Sequence, residues 1–229
     1  MGVSQLQYML YLRETGCPGL RTACSVIGKE IMKMRWNGLT SSDLKWIAII
    51  SMLVDHFAVA IYANMADYQF DIYRVMRGIG RIAFPIYCFL LVEGFCHTHD
   101  VKRYISRCFL FAVISEVPFD LAVHGAWVYP KGQNVFFTLA IGLCTLYAIS
   151  VCERRGMSII SSALCVLTGA GTAQLLETDY HYMSVLCIVL FYYLQRFDKV
   201  QRTVLGAVMV GVVEPKAAIA FLPIYLYNG

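Results

Sequence analysis

Leu44-Lys45-Trp46-Ile47-Ala48-Ile49-Ile50-Ser51-Met52-Leu53-Val54-Asp55-His56 opens a stretch of 21 residues that runs to Asn64 and is apolar apart from Lys45, Asp55, His56 and small polar groups. At 1.5 Å rise per residue a helix of that length suits about 30 Å of hydrocarbon, so the stretch reads as a membrane segment. Further apolar segments run over 79–95, 104–123, 135–151, 158–176 and 182–194. Two shorter ones, 204–213 and 217–227, are parted by Glu214-Pro215-Lys216 and read either as two thin helices or as one long kinked helix. The expected fold is all-α, a polytopic transmembrane helical bundle of about seven to eight membrane segments.

Composition agrees. Of 229 residues 59% are hydrophobic and 15% charged, against about 45–50% and about 25% in ordinary soluble domains. The balance argues against a soluble enzyme and excludes a disordered chain, and a net charge of +4 is too small to point to nucleic acid. The nine cysteines, odd in number and without a Cys-x-x-Cys pair, mostly sit in apolar stretches and read as small buried hydrophobes, with no disulfide framework and no metal site. Residues 1–43 lack the apolar core and cleavage site of a signal peptide and are expected to be cytosolic, with 20–34 mixing apolar and basic positions as a membrane-surface segment does.

Alternate connections divide the 19 Lys and Arg residues unequally. Fourteen fall on the side of the amino terminus and five, Arg74, Arg77, Arg81, Lys131 and Lys216, on the other. By the positive-inside rule the amino terminus is cytosolic, as expected of a multi-pass protein of the cytoplasmic membrane. No internal repeat or linker divides residues 44–229.

Charge inside the bilayer costs ~2.5–3.5 kcal/mol at a helix centre and is usually paired or functional. Helical rise places Asp55 and His56 roughly 17–18 Å from the cytosolic end of the first segment. Glu116 and Asp120 lie at similar depth in the third, and Arg81 and Asn134 near outer ends. These six residues are expected to form one polar chamber in the outer half. His56 is the leading candidate for chemistry, because imidazole exchanges a proton near neutral pH. Asp55, Glu116 or Asp120 would orient it, and Arg81 or Asn134 would stabilise a developing oxyanion. A second layer toward the cytosol comprises Lys45, Glu93, His97, Arg103 and Arg107, with Glu93 and His97 at the i, i+4 spacing. That rim suits an anionic ligand. His97-Thr98-His99 would diverge by about 200° on a helix, which argues against zinc.

The opening helix, Gly80-Arg81-Ile82-Ala83-Phe84-Pro85, Leu91-Val92-Glu93-Gly94-Phe95, Ser115-Glu116-Val117-Pro118-Phe119-Asp120-Leu121, Asn134-Val135-Phe136-Phe137-Thr138-Leu139 and Leu226-Tyr227-Asn228-Gly229 together resemble the TraX family of integral membrane proteins. The resemblance covers about Leu44 to the end; the family continues beyond this element into a further aromatic-rich helix. It implies acyl transfer, since the family's namesake is associated with amino-terminal acetylation of conjugative pilin. The ten-residue spacing of Lys45 and His56 is similar to a signature of the wider acyltransferase-three membrane enzymes.

The resulting expectation is a membrane acetyltransferase. It would take its acyl group from cytosolic acetyl-CoA, held by Lys45, Glu93, His97, Arg103 and Arg107. His56 would be the general base toward an amine or hydroxyl acceptor, on a peptide, glycan or lipid. A proton-coupled small-molecule transporter is the alternative, and an assembly subunit with purely structural ions is a third reading.

Overall fold

The computed structural model describes residues 38–228, so the surface-helix expectation for residues 20–34, and with it Cys17 and Cys24, lies outside the described residues. The compact unit Leu39–Tyr227 is helical, as the periodicity and apolar runs predict. Its α-helices are α1 Ser41–Ala60, α2 Phe70–Gly80, α3 Ala83–His97, α4 Val101–Val123, α5 Val135–Arg154, α6 Ile159–Leu175, α7 His181–Leu194, α8 Lys199–Val213 and α9 Phe221–Leu226. A single turn of 3-10 helix occupies Tyr62–Asn64, and a longer 3-10 stretch, Pro215–Ala220, leads into α9.

Polar residues at the helix starts satisfy backbone donors that the first turn leaves unpaired. Thr40 and Asp43 form a reciprocal capping box at α1. Asp100 accepts from the Arg103 amide at α4, Asn134 from the Phe136 amide at α5, and Asp198 from the Val200 and Gln201 amides at α8. Glu214 leaves helical backbone at φ −139° and is followed by Pro215. The chain there folds back, and the last two apolar segments are therefore two helical pieces, the first of the alternatives allowed by the sequence.

Among the described residues three helical stretches are long and apolar enough to cross a membrane: Ser41–Asn64, Phe70–His97 and Val135–Arg154. The second is longer than the apolar run in the sequence, because the amphipathic α2, absent from the expected segments, precedes α3 with a short break at Arg81 and Ile82. α4 is long but carries Lys102, Arg103, Arg107, Glu116 and Asp120. α6, α7 and α8 have 17, 14 and 15 residues.

The centre of the unit is built by α3, α5 and α7. Phe84, Ile86, Phe89 and Val92 of α3 pack with Leu143, Leu146 and Ile149 of α5 and with Val185, Ile188 and Phe191 of α7. α5 and α7 approach closely at Gly142, where a β-carbon would lie 2.3 Å from Ile188 Cδ1. α9 closes the core through Phe221, stacked on Phe191 at 5.5 Å, while Tyr227 meets Phe89 edge-on at 5.3 Å. α1, α4, α6 and α8 present large apolar side chains outward, among them Leu53, Leu110, Ile159 and Val212. An outer surface of that kind belongs against lipid, where the usual inside-out sorting of polarity disappears.

α2 and α3 run on in one direction while the other long helices alternate, so one end of the bundle holds Lys45, Glu93, His97, Arg107 and Arg202, and the opposite end holds Asp55, Arg77, Arg81, Glu116, Asn134 and Asp179. The contacts of Glu93 with Arg202 and of Asp55 with Arg77 fix these groupings. Among the described residues the cysteines are free; Cys88, Cys108 and Cys152 are buried, whereas Cys96 and Cys144 are exposed.

Candidate functional site

Two polar layers exist, and each is organised differently from a single chamber. At the Asp55 end the groups sort into separate partnerships. Asp55 Oδ2 accepts from Arg77 at 2.5 Å. The contact requires Gly80, because a β-carbon there would sit 2.2 Å from Asp55 Oδ1. Arg81, in the break before α3, lies 4.0 Å from Glu214 and places its guanidinium 5.4 Å from the centre of the Tyr180 ring. Tyr180 in turn stacks on Phe84 at 4.1 Å.

Tyr180 belongs to the turn between α6 and α7, in which Glu177, Tyr180 and His181 all have positive φ although none is glycine. Such backbone is costly and persists only where surrounding contacts fix it. Here the Gln133 carbonyl accepts from the Asp179 amide at 3.1 Å and the Thr138 hydroxyl donates to the Asp179 carbonyl at 2.9 Å. Asp179 is an exposed residue whose carboxyl nonetheless loses solvation to the surrounding chain. Loss of solvation pushes it up to about 6, with Arg81 opposing the shift and Asp55 adding to it.

Glu116, Asp120 and Asn134 form a neighbouring group. Asn134 donates through its side-chain amide to Glu116 and to the Ala112 carbonyl, and through its backbone amide to Glu116 at 3.2 Å. Asp120, almost fully buried, accepts from the Tyr129 amide at 2.7 Å. These carboxylates hold the α4 to α5 connection in place. His56 is half-buried, with the Phe119 ring 6.1 Å away, and makes no hydrogen bond to a carboxylate among the described residues. The six residues expected in one chamber therefore share an end of the bundle, but Asp55, Glu116 and Asp120 are each engaged elsewhere than on His56.

At the opposite end a cavity of about 790 Å3 lies among α1, α3, α4 and α5. Lys45, Glu93, His97 and Arg107 line it, bringing together four of the five residues assigned to the basic rim; Arg103 is outside, 3.6 Å from Asp100. Glu93 is the organising carboxylate. It accepts from Gln195 at 3.1 Å and stands 3.6 Å from Arg202 and 3.5 Å from His97 Nδ1. Gln195 also accepts from Arg202. Lys45 and Arg107 are exposed and have no ion-pair partner among the described residues.

Several of these residues escaped the sequence reading. Arg77 sits in a helix whose apolar content is too low to register as a segment. Asp179 and Tyr180 lie in a short connection without a motif, and Arg202 was counted only as a cytosolic charge. The uncommon Asp-Tyr-His turn between two apolar runs was the available signal for the second pair.

The family model described as TraX protein matches residues 40–226. Among curated proteins the chain is 34% identical over 111 residues to the probable fimbrial assembly protein FimC, serogroup H1, of Dichelobacter nodosus, covering 45% of this chain and 44% of that protein. It is 26% identical over 106 residues to a protein of Rickettsia prowazekii (strain Madrid E), covering 45% of this chain and 35% of that one. The matches thus span less than half the length of either relative. No solved structure matches.

These findings overturn the functional expectation drawn from the sequence. Neither the general acetyl-CoA-dependent transferase with His56 as base and an open acceptor nor the proton-coupled transporter finds support, because the similarity leads to a fimbrial assembly protein. A matched region of this extent, covering every helix from α1 to α9, makes the chain a member of the TraX family.

Proposed function

We propose that the protein acts in fimbrial assembly, as a membrane protein that processes a pilin subunit by acetylating its amino terminus. The observation that carries this reading is the TraX match over residues 40–226, joined by the likeness to a fimbrial assembly protein. The protein sits in the bacterial cytoplasmic membrane with the Lys45 end toward the cytosol, where the sequence puts fourteen of its 19 basic residues. The Asp55 end then faces the opposite side. Asp179, a carboxylate without an ion pair among the described residues, suits the ammonium of a subunit presented there.

The test is mass spectrometry of the amino-terminal peptide of pilin from fimbriae of a host with and without the gene. Loss of the acetyl increment on deletion and its return on complementation are expected. Acetylated pilin in the deletion strain, with fimbriae in normal number, would refute both the modification and the assembly role. Unmodified pilin in both strains, with fimbriae lost on deletion, would replace acetylation by an assembly role alone.

A further inference from the structure

The cavity at the Lys45 end has a mouth and a side that call for different parts of one ligand. Lys45 in the second turn of α1 and Arg107 in the second turn of α4 both line it, both are exposed, and neither forms an ion pair among the described residues. Glu93, the carboxylate in the same lining, is already neutralised by Arg202. The mouth is thus positive and uncommitted. Deeper in, Tyr87, Leu90, Phe136 and Leu139 make the wall apolar. Ile49 and Phe111 line it too, yet are 45% and 55% exposed, and they belong to the outward faces of α1 and α4 that also carry Ile50, Leu53, Leu110 and Ile114. The cavity therefore opens sideways onto the apolar outer surface of the bundle.

We infer that this cavity is a binding site for an anionic phospholipid. Lys45 and Arg107 take the phosphate at headgroup level, and an acyl chain enters between Ile49 and Phe111 to lie along Leu90 and Leu139. Charge complementarity selects an anionic head, since basic residues near a bilayer surface attract acidic lipids. The side opening selects a ligand that already resides in the membrane, because a free phosphate leaves the apolar wall uncovered. The site is independent of the fimbrial reading.

The test uses the full chain purified in detergent, with phosphatidylglycerol and phosphatidylcholine of identical acyl chains, and with inorganic phosphate and acetyl-CoA as soluble competitors. Binding is read by native mass spectrometry and by lipid-dependent melting. Saturable binding of phosphatidylglycerol, at least about tenfold tighter than phosphatidylcholine, is expected. It should weaken on the order of ten- to thirtyfold in Lys45→Gln/Arg107→Gln. Arg103→Gln, outside the cavity, should bind as the parent does. Melting in lipid-free detergent reports the fold of each variant, and if the double variant is unfolded, the comparison of the two lipids on the parent chain decides alone. Equal binding of the two lipids, or full binding by a folded double variant, would overturn the proposal. Displacement by inorganic phosphate or acetyl-CoA at concentrations matching phosphatidylglycerol would also overturn it and assign the cavity to a soluble anion.

Discussion

Removing the Arg202 charge with Arg202→Met leaves Glu93 enclosed without its cation. The two side chains are 16% and 15% exposed and stand 3.6 Å apart. At an effective dielectric constant of about 20 their attraction is about 4–5 kcal/mol before desolvation is subtracted. Breaking a buried pair on one side typically costs about 3–5 kcal/mol, since the orphaned charge stays buried. The Gln195 hydrogen bond to Glu93 survives the change, so the lower limit applies, about 3 kcal/mol. For a chain of this size that is roughly a 6–12 °C fall in melting temperature. Glu93→Gln should fall comparably by stranding Arg202, whereas Glu93→Gln/Arg202→Met should lose about 4 kcal/mol in place of the additive ~6, a coupling of about 2 kcal/mol. Thermal unfolding in detergent, followed by circular dichroism for all four proteins, measures the cycle. Additive losses, or single variants within about 0.5 kcal/mol of the parent, would show that water solvates both ions and that Glu93 does not tie α3 to α8.

Gly80→Ala should lower stability by about 1–3 kcal/mol, because its methyl group would displace the Asp55 carboxylate from Arg77; a melting temperature equal to the parent's would place α1 and α2 farther apart than described. Asp179, with a carboxyl at about 6 against an ordinary 3.8, holds its proton more tightly folded than unfolded. Its contribution is complete below pH 3.8 and lost as pH rises through about 6. Asp179→Asn should therefore remove a decline in melting temperature between those values, and an unchanged pH profile would refute the assignment.

The helical fold was legible because apolar runs and capping residues are local signals. The break at Arg81 was not, since α2 and α3 read as one region whose first half is too polar to be a segment. Depth along the helices correctly put Asp55, Glu116, Asp120, Arg81 and Asn134 at one end and Lys45, Glu93, His97 and Arg107 at the other. What helical rise does not determine is azimuth: Asp55 points at Arg77 through the gap left by Gly80, and Glu116 points at Asn134. His56, adjoining Asp55 in sequence, consequently faces Phe119. Asp179 needs long-range information of another kind, because its position depends on the pairing of its turn with Gln133.

Residues at opposite ends of the matched region meet at the mouth of the cavity. The Leu39 amide donates to the Leu226 carbonyl at 2.8 Å, Ser41 and Tyr227 share a hydroxyl contact at 3.1 Å, and Lys199 donates to the Tyr227 carbonyl at 2.7 Å. Tyr227 also lines the cavity. During synthesis the first membrane helix is made long before that residue emerges from the ribosome. The clasp has nearly the greatest sequence separation in the unit, and contacts of that kind close late. The wall that Tyr227 contributes is thus in place only after α9 has been made, which ties that side of the cavity to contacts formed late in folding.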